Sequence, residues 1–340
     1  MKTRVAILSV THAAVDLACA ALVFGFLSDK DAWLCMVLYN AFAFLMQLPM
    51  GILADRLDRN LPFAALGCGL VATAFMLTAH PWLAAVVAGL GNGAFHVGGG
   101  IEILNSSERK AGALGIFVSP GAIGLYIGTF FADFFKEHAF AAPLAMIVFG
   151  ALLLIFYRRK ESVLTKNAEF SVALPDGGLL PLVSLFLVVV LRAFMGTTSA
   201  FSVKDALSVP DPFAAGLIPV LCLAAGKAAG GFISDAIGAK LTGIISLALC
   251  AAGLFFPASP YITLAALFLF NMTMPITLYA SARLLKGAKG GAFGLLTAAL
   301  FLGCVPAFLG VWLKAPAYVN GLLVLASLGL LLFGLRKERA

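Results

Sequence analysis

Apolar runs long enough to cross a bilayer recur twelve times in this 340-residue chain, with only one connection of more than ten residues. One helical crossing needs about 17–25 mainly apolar residues. Such runs lie near 5–27, 31–53, 61–79, 82–104, 111–133, 139–157, 179–201, 212–233, 241–257, 259–281, 291–313 and 317–335. Hydrocarbon cannot hydrogen-bond a peptide group, so each run must satisfy its backbone internally, as a helix. The pattern predicts an all-α polytopic membrane protein. Composition agrees, because 62% hydrophobic and 11% charged residues cannot cover a water-soluble enzyme or keep a chain disordered. All six cysteines sit within apolar runs, with neither metal-ligand spacing nor a disulfide framework.

The few charges orient the spans. With the N-terminus in the cytoplasm, seventeen of the 23 Lys and Arg fall in cytoplasmic segments. Only Lys30, Lys136, Lys204 and Lys314 fall outside. This is the asymmetry of the positive-inside rule, and one span more or fewer would scramble it. Both termini are therefore expected in the cytoplasm. The net charge of +7 is a record of topology rather than a nucleic-acid footprint. His12 and Asp16 interrupt the first apolar run, which argues against a cleaved signal peptide. The longest polar stretch, 158–178, separates an N-terminal six-helix bundle, residues 1–157, from a C-terminal one, residues 179–340.

The two halves repeat each other. Span two ends in GILADRLDR, from Gly51 to Arg59, and span eight in GFISDAIGAK, from Gly231 to Lys240. Each carries a glycine, an aspartate four residues on, and then a base. Glycine permits close helix approach, and a carboxylate can meet a helix N-terminus. The first copy resembles the signature loop of the major facilitator superfamily at Gly51, Leu53, Asp55, Arg56 and Arg59. It departs at Asp58, where that family favours glycine, and at Asn60, where it favours a base. The resemblance implies two pseudo-symmetric six-helix bundles that alternate access to a central site near mid-membrane. It also implies a gating role for Asp55, Arg59 and Asp235, with Glu102 and Arg109 joining them across the next cytoplasmic turn. Glu102 is expected to pair with Arg109 or Lys110.

Ionisable groups inside a membrane are costly and point to function. His12 and Asp16, four apart, share a face of span one, and Asp16 lies about 17 Å in at 1.5 Å per residue. This pair is the candidate proton-coupling site, although Asp16 could instead form a structural bridge to Arg192. Arg192 in span seven and Lys227 in span eight suggest an anionic substrate group, since a guanidinium suits a carboxylate or phosphate. Gln47 is the counterpart of Lys227, each four residues before its motif glycine. Asn92 and His96 in span four and Asn271 in span ten complete the candidate substrate set, with packing between helices as the other reading of the asparagines. The Phe95-His96 pair resembles the fosmidomycin-resistance branch of the family. The Gly115–Gly128 segment of span five partly resembles a motif of proton-coupled drug antiporters, with Ser119 in place of glycine.

These readings lead to a secondary transporter of a small organic solute, preferably an organic anion, with protons as the coupling ion. A proton-coupled drug or metabolite efflux antiporter is the alternative within that class, and a non-transporting receptor or scaffold is the alternative outside it. Neither phosphate-binding loops nor metalloprotease or nucleophile motifs occur, so no enzyme is expected. The expected partners are a small-molecule substrate and the lipid bilayer, without nucleic acid, metal or cofactor. The chain is expected to work as a monomer. Its trimmed loops point to a bacterial inner membrane.

Overall fold

The computed structural model describes residues 2–27, 31–107, 110–158, 170–203, 206–311 and 313–337. Its apolar helices are α1 (Lys2–Phe26), α2 (Ala32–Leu57), α3 (Asn60–Met76), α4 (Pro81–Ser106), α5 (Gly112–Phe130), α6 (Ala141–Arg158), α7 (Leu179–Gly196), α8 (Pro212–Ile237), α9 (Ala239–Phe255), α10 (Pro260–Leu284), α11 (Lys289–Phe308) and α12 (Ala317–Gly334). Ten of them are long and apolar enough to cross a membrane. The shorter two, α3 and α9, have 17 residues each, about 26 Å at the helical rise. The set is consistent with twelve spans in the expected order.

Proline decides where these helices start and where they break. Pro81, Pro212 and Pro260 open α4, α8 and α10, where a missing N–H costs nothing. Asp211 caps α8 by accepting from Ala214 N at 2.9 Å. Inside a helix the same residue interrupts the ladder. The helix α2 breaks at Leu45–Met46, α5 at Ser119 and α10 at Met272. Pro49, Pro120 and Pro275 lie just beyond and cannot donate to the carbonyls four residues back.

The chain forms two compact units. Residues 1–108, 120–172 and 285–298 make the first; residues 109–119, 173–284 and 299–340 make the second. Each unit is mainly one half of the chain but takes in a short segment of the other. In the first unit α1 packs against the 120–130 part of α5 and against α4, while α3 lies along α4. Glycine makes one of its approaches possible: a Cβ on Gly51 would collide with the Gly290 carbonyl. In the second unit Leu185, Val188, Leu247, Cys250, Phe270 and Val324 join α7, α9, α10 and α12 in one apolar core.

Candidate functional site

Three sets of polar groups stand out in this apolar framework. The first lies at helix ends. Asp55, buried near the end of α2, accepts from Gly290 N and Gly291 N at the start of α11, both at 2.9 Å. Asp235, exposed near the end of α8, accepts from Ala111 N at 2.7 Å and Gly112 N at 2.9 Å at the start of α5. Orphan N–H groups and the helix dipole both favour a carboxylate at such an end. The repeated Gly-Asp motif therefore builds the same device twice, once in each unit.

The repeat also accounts for Asp58. It terminates α2 in the left-handed region at φ 49°, and Gly238, at the same offset from its motif glycine, terminates α8 at φ 88°. The backbone needs positive φ at both places, and one copy meets the need with aspartate. Arg59 is exposed at the start of α3, and its carbonyl accepts from Phe63 N. Glu102 is buried and forms an ion pair with Arg4 of α1 at 3.1 Å. Arg109 lies outside the described residues.

The second set is centred on α1 and α4. His12 Nε2 stands 3.2 Å from Asp16 Oδ2, one helical turn on. His96 Nε2 reaches across from α4 to within 2.8 Å of His12 Nε2 and 3.7 Å of Asp16 Oδ1. Asn92 Nδ2 donates to Asp16 Oδ1 at 2.9 Å, and the Asn92 carbonyl lies 2.9 Å from His96 Nδ1. A carbonyl can only accept, so Nδ1 of His96 carries a proton, and neutral His96 then presents a lone pair at Nε2. His12 Nε2–H accordingly faces two acceptors, His96 Nε2 and Asp16 Oδ2, with one hydrogen. Phe95 packs beside both imidazoles. Thus His96 and Asn92, read as substrate-binding candidates, belong to the same cluster as His12 and Asp16.

The third set lies in the second unit. Arg192, buried on α7, donates from Nη2 to Thr273 Oγ1 and from Nη1 to Thr277 Oγ1 at 3.5 Å. Both threonines spend their own hydroxyl hydrogens on backbone carbonyls, of Phe270 at 3.0 Å and Met274 at 2.9 Å. Their lone pairs are thereby left for the guanidinium. Arg192 Nε is buried without a hydrogen-bond partner among the described residues. The break at Met272 starts the helical turn that carries Thr273 and Thr277, four apart on one face.

Asn271 and Gln47 each donate within their own helix. Asn271 Nδ2 donates to Leu267 O at 2.9 Å, and Gln47 Nε2 to Ala43 O at 2.7 Å, though Gln47 Oε1 is buried without a partner among the described residues. Lys227 Nζ donates to the Val118 carbonyl at 3.4 Å, within the second unit. Sequence reasoning missed Thr273, Thr277 and Arg4. The two threonines had a signal, a pair of hydroxyls at helical spacing beside Asn271 and Pro275. Arg4 had none beyond its charge.

Helical spans that enclose carboxylate, imidazole and guanidinium groups define a multi-pass membrane protein with an ionisable interior. The family model of the Major Facilitator Superfamily matches residues 5–308, and the chain belongs to that family. Solved structures share the fold at low identity. The human organic anion transporter MFSD10 (TETRAN) is 16% identical, with a TM-score of 0.70 over 96% of this chain and 98% of that one. The major facilitator transporter FucP in the outward conformation is 12% identical, with a TM-score of 0.68 over 97% and 98%. A single-substitution variant of the E. coli fucose:proton symporter FucP gives 0.65 at 12% identity over the same shares. A search of curated protein sequences finds no match.

Proposed function

We propose that this transporter moves a small organic anion, with Arg192 binding the anionic group and the His12–Asp16–His96 cluster carrying the coupling proton. Arg192 carries the anion reading: its charge is met by two neutral hydroxyls, and its Nε–H is left over. A carboxylate or phosphate would satisfy that edge with paired, charge-assisted hydrogen bonds. Coupling draws support from the cluster's geometry, in which a single hydrogen faces two acceptors. The fold itself accommodates both chemistries, since structures described as an organic anion transporter and a fucose:proton symporter share it. The paired Asp55 and Asp235 contacts serve as gate latches in this reading, and Arg59, Arg109 and the Arg4–Glu102 pair share the gating role.

Proteoliposomes test the proposal. A panel of organic anions, sugars, amino acids and antibiotics is offered under an imposed pH gradient. Accelerated uptake of an anion, lost in Arg192→Gln, is the expected result. Uptake of neutral solutes alone, or anion uptake indifferent to Arg192→Gln, overturns it. A second reading, efflux by proton antiport, draws on Gly121 in the proline-broken part of α5. That glycine lies directly against His12 and Asp16. Comparing everted with right-side-out vesicles separates the two directions.

A further inference from the structure

The cluster of α1 and α4 has a geometry that proton transfer alone does not require. Two imidazole nitrogens and a carboxylate, one ligand atom from each residue, lie within 4.8 Å of one another. The separations are 2.8 Å between the two Nε2 atoms, 3.2 Å from His12 Nε2 to Asp16 Oδ2, and 3.7 Å from His96 Nε2 to Asp16 Oδ1. Ligands bound at about 2.0–2.1 Å stand about 3.0 Å apart at neighbouring corners of an octahedron and about 3.3 Å apart in a tetrahedron. The two imidazole nitrogens already stand at that spacing, while the 3.2 and 3.7 Å contacts end on different oxygens of Asp16. With one oxygen from Asp16 the three donors lie within 4.8 Å, close enough for a small side-chain shift to bring them onto one face of a coordination sphere. We propose that His12, Asp16 and His96 form a binding site for a divalent first-row transition-metal ion, which takes the place of the hydrogen on His12 Nε2 as that hydrogen moves to Nδ1 and leaves Nε2 a lone pair.

The surroundings of the triad suit such an ion. His96 is fixed with its Nδ1 hydrogen on the Asn92 carbonyl, so the nitrogen it turns to the cluster is the one with a lone pair. Outer contacts of this kind orient metal-bound histidines and set their tautomer. Asn92 Nδ2 likewise steadies Oδ1 of Asp16 and leaves Oδ2 on the His12 side. Two histidines and one carboxylate are a donor set for zinc, cobalt, nickel or ferrous iron rather than for magnesium or calcium, which prefer all-oxygen sites. Three ligands also leave positions open for water or a bound anion.

Access and room are present as well. The side chains of Asp16 and His96 keep 19% and 14% of their exposure, so the triad is not sealed. On the α5 side Gly121 faces it, and a Cβ there would overlap His12 Nε2 and Asp16 Oδ2. Among the described residues, Cys19 on α1 and Tyr39 on α2 are further ionisable groups beside Asp16. Cys19 Sγ accepts from Asn92 Nδ2 at 3.8 Å.

Cobalt(II) is the probe, because its visible absorption reports nitrogen and oxygen ligation directly. The protein is untagged, in nanodiscs, with His80→Gln and His138→Gln removing the chain's other two histidines. One Co²⁺ per chain is expected, displaced by Zn²⁺. His12→Gln and His96→Gln should each weaken binding at least ~10-fold, and Asn92→Ala, which spares the ligands, by about 10–100-fold. Asp16→Asn, close in shape to the original, supplies a ligand variant should a histidine variant fail to fold. Absence of Co²⁺ binding, or binding unchanged by His96→Gln and Asp16→Asn, overturns the site. Proton-coupled flux without Co²⁺ binding sinks the metal site alone. Co²⁺ binding without proton-coupled flux sinks only the coupling reading.

Discussion

The Asp55 carboxylate accepts a hydrogen bond from the backbone of Gly290, 2.9 Å away in space and 235 positions along the chain. Together with Gly291 N–H it ties the end of α2 to the start of α11. Asparagine in its place keeps the shape but loses the charge and one acceptor oxygen. A buried donor left unmatched costs about 1–3 kcal/mol. Asp55→Asn should lower the thermal midpoint of the protein in nanodiscs, and Asp235→Asn, at an exposed site, should lower it less. Equal midpoints for wild type and Asp55→Asn would show that the contact contributes nothing.

Glycine substitutions separate close helix approach from simple flexibility. Gly51→Ala drives a methyl into the Gly290 carbonyl, and overpacking of this kind costs about 1–3 kcal/mol. Gly69, at an exposed position of α3, has nothing within 4 Å of where a Cβ would stand. Gly69→Ala should stabilise the helix by about 1 kcal/mol. Thermal unfolding of both variants in the same lipid checks that the two effects have opposite signs.

Asp58 holds a left-handed conformation that costs a residue with a Cβ roughly 1–2 kcal/mol. Its Oδ1 is also buried without a partner among the described residues. Asp58→Gly should therefore raise the thermal midpoint, and Gly238→Ala should depress it. A lower midpoint for Asp58→Gly would mean that its side chain makes a contribution larger than the strain.

Arg192→Lys is not a mild change at a fork-shaped site. Lysine keeps the charge but loses the planar pair of donors that suits a carboxylate. Anion uptake by Arg192→Lys proteoliposomes should fall at least ~10-fold, as expected when more than about 1.4 kcal/mol of binding is lost. Unchanged uptake would place anion recognition elsewhere.

Gly121→Ala tests the coupling cluster without replacing any of its titrating groups. The added methyl would overlap His12 Nε2 and Asp16 Oδ2. Substrate exchange at equal pH should persist while pH-driven accumulation is lost, and Asp16→Asn should give the same split. Accumulation that survives both changes would remove the cluster from the coupling step.

Much of this protein was legible in one dimension. Burying a helix in lipid demands long apolar runs, so the spans can be read off locally. The Gly-Asp repeat was legible too, including the offset that sets Asp58 opposite Gly238. The partners of these groups were not. Nothing near Asp55 points to Gly290, nothing near Glu102 points to Arg4, and His96 lies 84 positions from His12. Arg192 announced itself by its charge, but only the break in α10 explains why Thr273 and Thr277 receive it. Helical periodicity records which face of a segment is apolar. Which faces meet depends on packing between segments far apart in the chain, and there the tertiary structure decided that His12, Asp16 and His96 form one site.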